Sequence, residues 1–212
     1  MTAKQKNTRK NGALIKVNLG CGVHLLSGFI NVDKYFSLKQ LQSKKGIYKN
    51  AIIEPGAKYV QADAIALPFR DNSVDYIESI DMIEHLPTQH VAKAFSEIAR
   101  VLKPGGKLGM MTNSFDNLAQ LWVQYMTKPD FTQEQYFELC ELIYGNQIGP
   151  GEFHRTPFNP RVLNSFIVDV GLTLDKMTMY TLGSTDSPKM ETQTWPQSSH
   201  LRSDMMWVQA HK

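Results

Sequence analysis

The sequence predicts an α/β fold, a mostly parallel sheet with helices on both faces and one antiparallel edge strand. Two observations carry this reading. Short apolar runs that end on a glycine turn or an acid alternate with stretches of helical period, the pattern of a parallel sheet. The last two apolar runs, 172–182 and 205–210, are joined by a polar Ser/Thr/Pro segment instead of a helix, which suggests an antiparallel pairing at the edge.

Residues 1–12 read as a disordered basic tail, because nothing apolar there offsets the entropy of ordering. The domain then occupies 13–212. Leu14–Leu19 is a buried strand running into Gly20-Cys21-Gly22. Phe29–Asp33 and Tyr59–Asp63 are strands ending on an acid, and Val74–Ser79 is a fourth. Over 88–102, Val91, Ala94, Phe95, Ile98, Val101 and Leu102 recur at helical spacing. Thr88 is the expected cap of that helix, Pro104-Gly105-Gly106 its end, and 107–112 the fifth strand. Residues 115–126 and 133–144 read as helices, the second opened by a capping box of Thr132 and Gln135. Residues 145–158 are loop. Asn159-Pro160 starts a last helix with the stripe Leu163, Phe166, Ile167 and Val170, stopped by Gly171.

Hydrophobic residues make up 42% of the 212 and charged residues 20%, ordinary for a chain that buries a core. No run approaches the roughly 18–20 apolar residues of a membrane span, and the polar N-terminus has no signal-peptide core. Cys21 and Cys140 are too few for a disulfide framework, and no CxxC spacing suggests zinc, so no metal is expected. A reduced, cytoplasmic protein is the expectation. The net charge of +3 is uneven: 1–16 carry five cations and no acid, and 34–58 carry six lysines against Glu54. A solvated surface is the simpler reading of these segments, and a polyanion-binding face the other.

Strand, glycine-rich turn, then a strand with a terminal acid is the logic of an adenosine site: glycines admit the ligand to the backbone and the acid takes the ribose hydroxyls. GxxxxGK[ST] is absent, which excludes a P-loop. The dinucleotide fingerprint also fails, since Leu25 stands at the third glycine position and Asp33 follows Gly20 by only 13 residues. A ligand without pyrophosphate fits best.

The motifs LGCG (19–22), NVD (31–33), ADAIALPF (62–69), VDYIESIDMIEHL (74–86) and RVLKPGGKL (100–108), in this order and spacing, resemble those of the class I S-adenosylmethionine-dependent methyltransferases, within them the methyltransferase 11-like group. The resemblance covers 15–112 and is looser beyond. It implies a Rossmann-like fold with a seven-stranded sheet and a small helical cap over 113–160. It implies S-adenosylmethionine as cofactor and S-adenosylhomocysteine as product. By the same resemblance Gly20, Cys21 and Gly22 pass beneath the methionine part, and Asp33 accepts from both ribose hydroxyls. Asp63 accepts from the adenine amino group, Ala64 and Ile65 shape the ring slot, and Ser79 lies beside the methionine part. Asn18 replaces a frequent acid and His24 a frequent glycine; Asn18 still hydrogen-bonds the cofactor's amino group, and His24 lies near its carboxylate. Only residues 20–28 bridge the first two strands, which predicts a first helix cut to about one turn.

Methyl transfer to oxygen usually wants a base. His154 and His85 are the leading candidates, with Glu78 and Asp81 behind them. His154 sits in a glycine-containing loop, 149–157, of the kind that closes over sites. The expected acceptor is a small molecule or glycan methylated at oxygen. An RNA acceptor held by the lysine-rich segments ranks second: no appended RNA-binding module fits in the chain, and SIDM stands where an NPPY-like motif would be. A non-catalytic, cofactor-binding partner subunit ranks third. The sequence carries no expectation of oligomeric state, and no membrane partner is expected.

Overall fold

The computed structural model describes residues 14–149, 151–179 and 205–212. The expected tail, 1–12, and the segment joining the last two strands lie outside the described residues. The elements run β1 (Lys16–Leu19), β2 (His24–Leu25), β3 (Ile30–Asp33), α1 (Leu38–Ser43), β4 (Ile52–Ile53), β5 (Lys58–Gln61) and β6 (Val74–Ile80). There follow α2 (Thr88–Val101), β7 (Leu102–Asn113), α3 (Phe115–Met126), α4 (Gln133–Tyr144), α5 (Pro160–Asp169), β8 (Thr173–Met179) and β9 (Met205–His211).

Seven strands form one sheet in the order β5-β3-β1-β6-β7-β9-β8. Its first five strands pair in parallel, and β9 runs antiparallel to both its neighbours. The antiparallel character at this edge is thus carried by β9, seated between β7 and β8. Val17, Leu19, Ile77, Leu108 and Met110 are almost fully buried, as expected for central strands covered on both faces.

α2 buries the stripe Val91, Phe95, Ile98 and Val101, and the Phe95 ring stacks on Phe166 of α5 with centroids 5.6 Å apart. Phe95 is 0% exposed. Phe95→Ala is therefore expected to cost about 3–5 kcal/mol, read as a fall in the denaturant midpoint; a cost below about 1 kcal/mol would contradict this packing. Arg100 on α2 binds Glu97 and Asp71 and donates to the carbonyls of Leu67 and Phe69. The Leu67 N–H in turn donates to Glu97. These bonds hold the loop after β5, which carries Asp63 and Ala64, against α2.

Four local expectations are corrected. No helical turn bridges β1 and β3. The chain instead makes β2, which pairs with β4 in a separate two-stranded sheet. Asn31 explains this: its side chain accepts from the Leu26 N–H and donates to the Leu26 carbonyl, using backbone groups that a helix would need. Thr88 does not cap α2. Pro87 takes that position without a side-chain bond, while the Thr88 hydroxyl meets that of Thr156 at 3.1 Å. Pro104-Gly105-Gly106 is not a free turn but a bulged arm of β7, and Lys212 pins it through bonds with Gly105 and Gly106. Finally, the lysine-rich segment contains α1, opened by a capping box of Ser37 and Gln40. The capping boxes and caps expected at Thr132 and Asn159 are present.

Candidate active site

The chain moves from β5 at one edge across to β6 on the far side of β1, so the strand order reverses between β1 and β6. Ligands of open α/β sheets bind at such a point, beyond the carboxyl ends of the strands. A cavity of about 990 Å³ opens there. Leu19 and Gly20 after β1, Asp33 at the end of β3, Asp81 after β6 and Asn113 at the end of β7 form its floor. α4 contributes Glu138, Glu141 and Leu142, and the loop after it contributes Glu152 and His154.

Gly20 has φ +73°, and a Cβ there would lie 2.1 Å from Met82 Cγ. Its N–H and that of Cys21 both donate to the Val32 carbonyl. The turn is thus pressed between β3 and Met82, and Met82 is the group a larger side chain would strike. Gly22, φ +51°, faces open space on the cavity side.

Asp33 is 9% exposed. Its Oδ2 accepts from the Gly22 N–H at 3.0 Å and its Oδ1 from the Tyr35 N–H at 2.8 Å. Burial pushes its carboxyl upward, opposed by these amides. The carboxylate, held by these amides, lines the cavity. Asp63 lies two residues past β5 and bridges to Lys34 Nζ at 2.7 Å. That pair is half-exposed, of the kind worth about 0–1 kcal/mol, so a ligand donor displaces Lys34 at small cost.

Of the expected site residues, Gly20, Gly22, Asp33, Asp63, Ala64, His85 and His154 line this cavity. Asn18, Cys21, His24, Ile65 and Ser79 stand outside it. Asn18 donates to Asn31 and to the His24 carbonyl, and so braces β1 against the crossover. Cys21 packs with Leu25, Phe36 and Leu41 in a second core, where burial raises its thiol. Burial likewise lowers His24. Ser79 is 0% exposed within β6; Asp81, two residues on, reaches the cavity in its place. Glu78 is also buried, with the Tyr76 hydroxyl donating to it, and is not a base for this site.

His154 and His85 meet edge to face with centroids 4.8 Å apart. His154 Nδ1 lies 2.9 Å from the Leu142 carbonyl, so Nδ1 carries the proton and Nε2 keeps a lone pair. Burial lowers His154 and, with His154 beside it, lowers His85 to about 4. Glu84 beneath them is 3% exposed, and burial followed by Asp81 pushes it up to about 8. The loop around His154 is stitched down rather than hinged. Its N–H donates to Tyr144, those of Arg155 and Thr156 donate to the Glu84 carbonyl, and Gly145 packs against the Glu152 backbone.

Asn113, Glu138, Glu141 and Glu152 also line the cavity and are not among the site residues expected from the sequence. Asn113 ends a strand on the ligand side, a signal that was available; Glu138 and Glu141 show helical spacing, while Glu152 gives none.

A glycine turn and a buried carboxylate stand together at the switch point of this doubly wound α/β sheet. The fold is that of the class I methyltransferases: the S-adenosylmethionine-dependent methyltransferase of Mesorhizobium loti aligns with TM-score 0.57 at 18% identity, over 95% of this chain and 92% of that one. Residues 17–110 match a family model described as methyltransferase domain. A sterol 24-C-methyltransferase of Gibberella zeae is 35% identical over 101 residues, 45% of this chain and 24% of that enzyme. A probable tRNA methyltransferase of Homo sapiens is 35% identical over 106 residues, 47% and 21%. The chain thus spans about a quarter or less of these relatives' length. Among the described residues no helix is long and apolar enough to cross a membrane.

Proposed function

We propose that the protein transfers a methyl group from S-adenosylmethionine to an oxygen of a hydroxyl-rich small molecule or glycan. The carrying observation is the acidity of the cavity lining, where Asp81, Glu138, Glu141 and Glu152 join Asp33 and Asp63 against the two cations Lys34 and Arg155. Carboxylates accept hydrogen bonds from hydroxyls and repel phosphates. A neutral polyol suits such a wall better than a nucleic acid. Of the lysine-rich segment only Lys34 lines the cavity, and it is engaged by Asp63.

The open side of Gly22 and the paired amides on Asp33 fit the nucleoside end of the cofactor. When bound, S-adenosylmethionine supplies an electrophilic sulfonium methyl carbon. The chain's task is to hold the acceptor oxygen in line and to exclude water. His154 Nε2, whose lone pair is left open by the Nδ1 bond to Leu142, would take the proton of the acceptor hydroxyl. Residues 113–160 form the acceptor-facing cap in this reading, and His85 packs edge-on to keep the His154 ring in place.

Methyl-labelled S-adenosylmethionine offered with neutral glycosides and polyols, and separately with mixed RNA, tests this. Label in an ether of a glycoside or polyol is the expected result. Label in RNA alone, with binding that falls steeply with salt, would overturn the acceptor class.

A further inference from the structure

Glu84 converges with His85 and His154, which line the cavity, with one donor atom from each lying within 4.8 Å of the others. The two Glu84 oxygens are buried and have no hydrogen-bond partner, and the same holds for His85 Nδ1. Buried polar groups are normally paired, so Glu84 and His85 Nδ1, brought to one spot with His154, are groups that a bound cation would satisfy. We propose that this cluster binds a divalent first-row transition cation through Glu84, His85 Nδ1 and His154 Nε2.

Donor type and geometry support this. Two imidazoles and one carboxylate suit zinc, iron, manganese or cobalt and leave coordination positions open. Ligand bonds of about 2.0–2.2 Å put donor atoms about 3–4 Å apart around one ion, so the cluster needs a shift of only about an ångström to close. The Leu142 carbonyl that takes the His154 Nδ1 proton is the outer partner that metal-binding histidines ordinarily have. The backbone N–H groups of Arg155 and Thr156 both bind the Glu84 carbonyl, locking the loop that carries His154 onto the residue that supplies the carboxylate.

His85 and His154 both face the cavity, so an open position on the cation would point at the acceptor. The inference deepens the oxygen-acceptor reading and rests on it. In the loaded protein the acceptor hydroxyl coordinates the cation, which acidifies it. In that loaded state His154 Nε2 would be a metal ligand, which replaces its part as proton acceptor while keeping the oxygen acceptor, and the hydroxyl proton would leave to water.

Cobalt(II) titrated into the chelator-treated protein is the test, followed by visible ligand-field absorption and by equilibrium dialysis. One ion per chain is expected, with the colour bleached by added zinc. Glu84→Gln and His154→Ala should each weaken binding at least 10-fold, with S-adenosylhomocysteine affinity measured alongside to show that each variant is folded. An uncoloured wild-type titration, or cobalt affinity unchanged in both variants, would overturn the site. Failure here with S-adenosylhomocysteine still bound removes the cation alone; loss of S-adenosylhomocysteine binding by the wild type would remove the methyltransferase reading instead.

Discussion

His154→Ala is expected to lower turnover by roughly 10²–10⁴-fold while S-adenosylhomocysteine binds with unchanged affinity. The separation follows from position. His154 lies on the loop after α4, whereas the cofactor-suited groups are Gly22 and Asp33 at the ends of β1 and β3. The variant also removes the Nδ1 bond to Leu142, at a cost of about 0.5–1.5 kcal/mol. The loop keeps its backbone bonds from His154 to Tyr144 and from Arg155 and Thr156 to Glu84, so the fold should survive. Single-turnover rates and a thermal melt check this together. A variant with a depressed melting temperature and turnover reduced only in proportion to unfolded protein would make His154 a purely structural residue.

Asp33→Ala is expected to weaken S-adenosylhomocysteine binding about 10- to 150-fold, the equivalent of about 1.5–3 kcal/mol for hydrogen bonds to a charged group. The Gly22 and Tyr35 N–H groups now held by Asp33 lose their acceptor, so some stability goes as well. Asp33→Asn separates the two effects: it keeps one oxygen for the backbone but offers an amide where a second ribose hydroxyl would donate. Affinity reduced in both, with Asn closer to wild-type stability, is the expected pattern. Unchanged affinity in a folded Asp33→Ala protein would remove the ribose role.

The legible parts of this molecule are those whose physics is local. LGCG and NVD place a turn and an acid within a few residues of their own strands, and the acid meets the turn directly through Gly22 and Asp33. The apolar stripes of α2 and α5 are likewise periodic, and both bury the residues that the period selects. The Ser37–Gln40 capping box carries the same signature as Thr132–Gln135, but it sits among lysines that read as solvated surface. The crossover after β1 is not legible in the sequence because its shape depends on Asn31, whose side chain reaches back to Leu26 and across to Lys58. Residue spacing carries no trace of such bonds. The same holds for Glu84, His85 and His154: the first two are adjacent, but the third is about 70 residues away, and only the folded loop after α4 brings it to them.

Calorimetric titration of the wild-type protein with S-adenosylhomocysteine, and in parallel with NAD, tests the central claim most directly. Saturable one-to-one binding of S-adenosylhomocysteine with none of NAD is the expected result. NAD binding, or no heat with S-adenosylhomocysteine in a protein shown to be folded, would contradict the assignment of the cavity at the ends of β1 and β3.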